Sequence, residues 1–542
     1  MSNHYSSHKK INTAIIIDNY KISHWAFQSL LGIKDLVSIR VILNCNNTKI
    51  KRNIFKNTLY YIINYFSIRN LMSKKNIIKS EELSSSAINI IDFNSEYDGF
   101  WQIIPKNIFD DLAKENIDLV IKFGMNLLKI PELMSIKHGV ISFHHGNPAK
   151  YRGRPAGFYE LYSDEKNIGV IVQRITNKID SGDVIAYLES KIYNYSYKKT
   201  LFEAYENSIY LLKIAVKNII NEKNIEHDSS GKNYRLPNNL IALKFCFKLI
   251  KNKLYRIIYG LFYEKMWSVA IEPNIKLFDF FKINDIKNEK IIPINKKKYT
   301  FYADPFWLNK NTILVEALSK KSLKGEIIKI YDFNLKNIAT RTILKCDKHY
   351  SYPCVFSQNG NNYILPEMSD VNDQRIFIFE NDDINSLKVK GLNNIRIIDP
   401  TYFFINRTHY IFGSLTDCPW GRLYIWYSKE SSLGEYIPHP NNPVKISPNG
   451  SRMAGSIIKL DGKVYRLGQD NSDHYGNGVY LFEILELNEN CFIEKEILYK
   501  RWGNRKGPHT INLNLNSNQI VYDFYLNKFN LFAGIKRVIS RI

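Results

Sequence analysis

His144 and Asp180 each stand in a stretch dense with polar and turn-forming residues: Ser142-Phe143-His144-His145-Gly146-Asn147-Pro148-Ala149-Lys150-Tyr151-Arg152-Gly153, and Ile179-Asp180-Ser181-Gly182-Asp183. A histidine and a carboxylate brought together can serve in acid–base and oxyanion chemistry. The imidazole, ionising near neutrality, donates to a developing oxyanion or relays a proton. The carboxylate orients the ring and receives, through water, the proton leaving an attacking group. Arg152 and Arg154 in Tyr-Arg-Gly-Arg-Pro can hold an anionic substrate. Taken singly, His144 reads as a core histidine satisfied by a neighbour and Asp180 as a turn residue.

These residues need a rigid frame, and the first 200 residues supply its pattern. The β-branched run Thr13–Asp18 leads into helical spacing over Ile22–Leu31, with no glycine-rich loop between them to let a pyrophosphate approach the backbone. Further strands are predicted at Val37–Leu43, Ile88–Asp92, Leu119–Phe123 and Val140–Phe143, with helical stretches between several of them. That alternation predicts an α/β domain with a doubly wound, mostly parallel sheet. The stretch from Asp118 to Pro131 reads as a buried strand running into a loop at Gly124.

The two motifs together resemble the active site of the folate-dependent formyltransferases, which read Asn-x-His, a short loop, Tyr-Arg-Gly and later Leu-Asp-x-Gly-Asp. The resemblance places the family's catalytic histidine on His144, its catalytic aspartate on Asp180 and its asparagine, a second donor toward the formyl oxygen, on Ser142. It also implies that the loop carrying Phe123, Gly124, Leu127, Leu128 and Ile130 holds the pterin ring of 10-formyltetrahydrofolate as co-substrate, and that Arg152 and Gly153 contact the acceptor. Serine is shorter than asparagine. Losing one oxyanion donor costs roughly 3 to 4 kcal/mol, unless Ser142, His145 or Asn147 compensates. Relatives in this family formylate methionyl-tRNA, glycinamide ribonucleotide or amino sugars on nucleotide carriers.

After Trp267 a unit of about 50 residues recurs five times, a period at which propeller blades belong. Its strands begin near Thr312, Asn362, His409, Val464 and Gln519, each after a polar turn. Before them come Ala303-Asp304-Pro305-Phe306, Ser351-Tyr352-Pro353, Ile398-Asp399-Pro400-Thr401, Arg452-Met453-Ala454-Gly455 and Pro508-His509-Thr510. Five units predict a five-bladed β-propeller, with Trp267–Ile271 completing the last blade. The region resembles the furanosidase-type propellers and, more closely, the propeller domain of plant glucosamine inositolphosphorylceramide transferases, which implies a carbohydrate-related role. Asp304, Glu367, Asp399 and Asp470 come from different units. Converging on one channel mouth, they could serve as an acid/base pair on a glycosidic bond.

The 542 residues suffice for two or three cores. The expected division is a catalytic domain over 1–235, a basic amphipathic connector over 236–262 and the propeller over 263–542. A formal charge of +23 invites three partners: an anionic substrate, an anionic membrane or nucleic acid. No helix-turn-helix, zinc finger or RNP signature accompanies the charge, so no specific nucleic acid is expected. The connector interleaves Lys244, Lys248, Lys251 and Arg256 with apolar residues, suiting either packing on a neighbouring domain or peripheral contact with a membrane. Its weaker counterpart is the end of the chain, Phe529–Ile542. Six scattered cysteines, with no CxxC pair and no histidine at ligand spacing, read as reduced thiols and predict no metal. Without an apolar leader or span, the expected compartment is the cytoplasm. The expected activity is formyl transfer to an amino sugar in surface-polysaccharide biosynthesis. Its rivals are a glycosidase or glycosyltransferase-like activity in the propeller, and a glycan-binding protein with a degenerate transferase domain.

Overall fold

The apolar run near the start of the chain forms the strand Ile11–Asp18, and the short strand Lys21–Ser23 leads into the helix His24–Leu31. A computed structural model describes residues 10–539 except 48–54, 69–70, 72–73, 78–87, 131–134, 178–179, 285–288, 332–337, 346–347, 369–372 and 381–382. Pro131, Ile179, Cys346 and the last three residues therefore lie outside the described residues. Two compact units are distinguished, 1–254 and 255–542.

In the first unit one sheet runs in the order Asp183–Lys191, Asn167–Arg174, Val140–His144, Leu119–Lys122, Ile11–Asp18, Val37–Cys45, Asn89–Phe93. Pairing is parallel from Val140–His144 to Asn89–Phe93 and antiparallel at the other edge. This is the mostly parallel α/β arrangement expected, with an antiparallel edge added. Ala14, Ile16, Val41, Leu43 and Val120 share a core with Ile108 and Leu112 of the helix Lys106–Lys114. The long helix Tyr197–Ile220, capped by Ser196 accepting from the Lys199 amide at 3.2 Å, packs on Asn167–Arg174, Asp183–Lys191 and the helix His24–Leu31. The helix Asn239–Phe262 buries Ala242 and Phe245, the latter stacked on Phe158 at 4.1 Å.

The second unit consists of five antiparallel sheets of four or five strands. The five repeated strands are Thr312–Ser319, Asn361–Glu367, Thr408–Leu415, Lys463–Asp470 and Gln519–Phe529, one in each sheet. Gln519–Phe529 pairs along its length with Tyr263–Glu272, so one sheet is built from both ends of the unit. Successive opening strands Tyr299–Asn309, Ser351–Gln358, Ile397–Ile405 and Asn449–Met453 pack on one another, and the Ile511 amide donates to the Ala454 carbonyl at 2.8 Å.

In three of those opening strands the pairing slips around an X-Pro dipeptide: Asp304-Pro305, Tyr352-Pro353 and Asp399-Pro400. Asp304, Tyr352 and Asp399 have φ of 48°, 45° and 50°, the left-handed region that costs a non-glycine residue free energy. Such bulges re-aim a side chain. The repeated Pro thus marks where each sheet turns one residue away from its own ladder.

Replacing Phe245 by Ala should lower the stability of the first unit by about 3 to 5 kcal/mol, because a fully buried aromatic leaves a cavity. Urea denaturation followed by tryptophan fluorescence checks this. A change under about 1 kcal/mol would show that the helix Asn239–Phe262 does not share that core.

Candidate active site

Ser142 and His144 are two apart on one strand and therefore face the same side of the sheet. Ser142 pairs with Lys122 on one neighbour and with Gln173 on the other, so three polar side chains form a row across three strands. Asp180 meets that row from the turn before Asp183–Lys191. Its Oδ1 accepts from Gln173 Nε2 at 3.2 Å and its Oδ2 from the Gly153 amide at 2.9 Å. His144 Nδ1 lies 3.5 Å from Asp180 Oδ2, and Nε2 lies 3.0 Å from the Tyr151 carbonyl oxygen.

The His144 side chain is 8% exposed and that of Asp180 24%, so the ring is shielded while the carboxylate reaches solvent. Gly153 has φ of 82°, and a Cβ there would stand 2.2 Å from the Tyr234 carbonyl oxygen. Only glycine fits, and its amide anchors Asp180. Gly153 thus holds the carboxylate. Arg152 donates from Nε to the Gly231 carbonyl at 2.6 Å and lines a small pocket with His144, Glu160 and Tyr234.

Two expectations need correction. His145 cannot compensate for the shorter Ser142: alternation turns it to the opposite face, against Trp25 and Tyr205, with Nε2 2.9 Å from Ser208 Oγ. Burial pushes it down to about 3, with His144 adding to the shift, so it is a neutral core histidine. Asn147 closes a turn, its Oδ1 accepting from the Ala149 amide at 3.0 Å. In the loop, Leu128 and Ile130 are buried in the core with Met125 and Ile104, which leaves their side chains unavailable to a pterin ring.

Gly124 is buried too. A Cβ there would meet Ile17 C at 2.5 Å and the Asp18 amide nitrogen at 2.7 Å, so close approach of the loop to the strand Ile11–Asp18 requires glycine. The Met125 amide donates to Asp18 Oδ1 at 2.8 Å and the Asn126 amide to Gln102 Oε1 at 2.6 Å. Of the residues expected to hold a pterin ring, Leu127 and Phe123, both half-buried, keep side-chain surface. Phe123 also stacks on Phe143 with centroids 5.9 Å apart.

Lys122 and Gln173 were not anticipated. Lys122 ends an otherwise apolar strand, and the Ser142 hydroxyl donates to its carbonyl at 3.4 Å. Burial pushes its ammonium down to about 8, against the opposing pull of Asp180 and Asp18. A lysine closing the run Leu119-Val120-Ile121 was the available signal. Its side chain lies on the site face as the register partner of Ser142.

A second cluster lies in the other unit. A cavity of about 250 Å³ is lined by residues that include Asp304, Glu316, Glu367, Arg452, Tyr475 and His509. His509 stands between two carboxylates, Nε2 3.2 Å from Asp304 Oδ1 and Nδ1 2.6 Å from Asp523 Oδ2. Burial pushes Asp304 up to about 8; the charge of His509 opposes this, while Glu316, Asp399 and Asp523 reinforce it. Burial disfavours charge on His509, but Asp523 and Asp304 outweigh it and its pKa is raised. Asp304, His509 and Asp523 are also the group among the described residues with spacing compatible with a metal ion.

Asp399 sits beneath the cavity, held by Arg452 Nε at 2.6 Å and Nη2 at 3.1 Å, and accepting from Gln469 Nε2 at 2.7 Å. Glu367 accepts from the Asp399 amide at 3.2 Å and is pushed up by burial and by the Asp399 charge. Asp470 does not join them. Its carboxylate is consumed by Ser472, Asn477 and the Tyr499 hydroxyl. Pro508-His509-Thr510 had been visible as part of the repeat, and only the fold shows that His509 belongs to the cavity.

With both sites described, comparison with known proteins separates the two parts. Residues 293–520 match the family model described as glucosamine inositolphosphorylceramide transferase 1, N-terminal. The chain is 29% identical over 226 residues to glucosamine inositolphosphorylceramide transferase 1 of Arabidopsis thaliana, covering 39% of this chain and 29% of that protein. It is 30% identical over 239 residues to the bifunctional polymyxin resistance protein ArnA of Wigglesworthia glossinidia brevipalpis, covering 41% and 33%. It is 25% identical over 213 residues to methionyl-tRNA formyltransferase of Finegoldia magna, covering 36% and 67%. The chain joins a formyltransferase-like unit to a domain similar to the N-terminal part of the plant transferases. It spans about a third or less of the length of the Arabidopsis and Wigglesworthia relatives.

Asp180→Asn should lower the Lys122 pKa below about 8, since the carboxylate's charge favours the ammonium. NMR titration of ¹³C-methylated lysines checks this, and an unmoved or raised value would separate the two groups. In the second unit, Asp304 and His509 bind protons more tightly folded than unfolded. Stability should therefore fall as pH rises from the ordinary carboxyl value of 3.8 toward about 8. Urea midpoints across that window should show this slope, and Asp304→Asn should flatten it.

Proposed function

We propose that the first unit transfers a formyl group from 10-formyltetrahydrofolate to the amine of an amino sugar, nucleotide-linked, in the synthesis of a surface polysaccharide. The observation that carries this reading is the approach of His144 to Asp180 on the end of a mostly parallel sheet, with Lys122 and Ser142 beside them. The site's residues divide the work by position. His144 and the Lys122 ammonium can donate toward an oxyanion forming at the formyl carbon, and Asp180, nearest solvent, can take the proton from the attacking amine. The loop offers a pterin ring the side chains of Leu127 and Phe123 and backbone groups between them.

An amino sugar is favoured as acceptor because the second unit resembles part of a protein whose name specifies glucosamine transfer. On this reading the catalytic domain spans 1–235 and a connector 236–262. The five sheets act as the blades of a propeller that meets carbohydrate, and the protein works in the cytoplasm. A second reading places chemistry on a glycan in the propeller. It is favoured by the cavity in which burial pushes Asp304, backed by His509 and Asp523, up to about 8.

His144→Ala and Asp180→Asn should each reduce release of tetrahydrofolate from 10-formyltetrahydrofolate by about 100-fold or more, measured with a panel of amino-sugar nucleotides. Ser142→Ala should cost less, because Lys122 remains. Full activity in either of the first two variants would remove the reading. A wild type that binds 5-formyltetrahydrofolate in calorimetry yet transfers to no amine would move the chemistry to the cavity.

A further inference from the structure

The helix Asn239–Phe262 has two apolar faces, and packing accounts for one of them. Ala242 and Phe245 are fully buried. Leu240, Leu243, Phe247, Ile250, Leu254 and Leu261 recur at intervals of three, four and seven residues, and each is between 43% and 63% exposed. At 1.5 Å per residue this exposed stripe runs for about 30 Å. Lys244 and Lys251 follow stripe residues by one position along one border, and Lys253 lies on the other; all three are exposed.

The end of the chain continues the pattern beside the last turn of that helix. The Asn530 amide donates to the Phe262 carbonyl at 2.8 Å, Phe529 stacks on Phe262, and Arg537 donates to the carbonyls of Gly260 and Tyr263. With Ala533 buried beneath, Phe529, Leu531, Phe532, Ile535 and Val538 are each 58% to 61% exposed. Neither 239–262 nor 527–539 contains an Asp or Glu, while together they carry Lys244, Lys248, Lys251, Lys253, Arg256, Lys528, Lys536 and Arg537. Lys248 pairs with Asp164 and Lys536 with Glu264, so the charge along the stripe is that of Lys244, Lys251 and Lys253.

We propose that the exposed stripe of Asn239–Phe262 and the segment Phe529–Val538 lie on an anionic membrane surface. Apolar side chains would enter the headgroup boundary while the bordering lysines extend to the lipid phosphates. No described helix is long and apolar enough to cross a membrane, so the helix lies on the surface. A second copy of the chain fits this face less well. The stripe has the spacing of a helix–helix seam, but pairing it with itself sets lysine against lysine along the borders with no acid to relieve them. Anionic headgroups answer the apolar stripe and the one-signed charge together.

The test is flotation of the full-length protein with vesicles of phosphatidylcholine, with and without phosphatidylglycerol. The protein should float with the anionic vesicles, less as salt rises, and weakly with the neutral ones. Phe247→Glu with Ile250→Glu should reduce flotation by about tenfold or more without shifting the melting transition, since both residues are exposed. Lys244→Gln with Lys251→Gln should weaken binding and its salt dependence. Absence of flotation on anionic vesicles, or flotation untouched by both pairs of changes, overturns the proposal. So does a dimer in sedimentation that the Phe247/Ile250 variant dissociates while no vesicle binding is seen.

Discussion

The strand Val140–His144 is hydrogen-bonded on both sides, parallel to Leu119–Lys122 and antiparallel to Asn167–Arg174, and the register of those two ladders decides what the first site contains. Because side chains alternate, a slip of one residue would turn His144 into the core and His145 into the site. The register is secured by Ile141 on one face and by Val140 and Val120 on the other, all nearly or fully buried. The polar row follows: Lys122 and Gln173 align with Ser142, and Gln173 then takes one oxygen of Asp180. Gly153 takes the other. Two independent elements therefore hold one carboxylate against one imidazole.

The second unit manages buried charge by a different route. Its carboxylates stand on bulged opening strands, aimed by X-Pro dipeptides in left-handed conformations. Such backbone costs of order 1 to 3 kcal/mol per residue and persists where the surroundings over-determine it. Here Asp399 is fixed by two nitrogens of Arg452 and by Gln469, and Asp304 by Thr510 Oγ1 at 2.6 Å and by His509. A buried pair of this kind adds little net stability, since desolvation offsets attraction, but losing one partner strands the other. Asp399 with Arg452 is thus a structural clamp. Asp304 faces the cavity with His509 3.2 Å away, and that difference separates it from its repeat counterpart.

Charge of one sign dominates both units, but its location carries meaning only in places. Lys122 is half-buried and its ammonium lowered by desolvation, Arg452 is neutralised by Asp399, and many other lysines stand in solvent. Along Asn239–Phe262 and the end of the chain the cations border apolar side chains that nothing in the same segments covers. Two apolar faces on one helix cannot both be explained by a single neighbour.

Much of this protein was legible as sequence because the relevant signals are local. The apolar runs of the sheet, the His144 and Asp180 motifs, and the five recurrent strands after Trp267 all depend on residues within a few positions of one another, where alternation and turn chemistry act. The site's membership was not local. Lys122 and Ser142 are 20 residues apart and Gln173 a further 31, and only strand pairing makes them neighbours. The same holds for His509, which lies 205 residues from Asp304 and meets it because the sheets come together. Asp470, equivalent in residue type to Asp304 and Asp399, is diverted by Ser472 and Asn477 in its own turn. Leu128 and Ile130 look like ligand contacts in a loop and are core residues in the fold, because burial depends on what arrives from elsewhere in the chain. Residue types and their short-range spacing were determined by the sequence alone. Which of them share a surface was decided by register and packing, whose free energies are set between segments far apart along the chain.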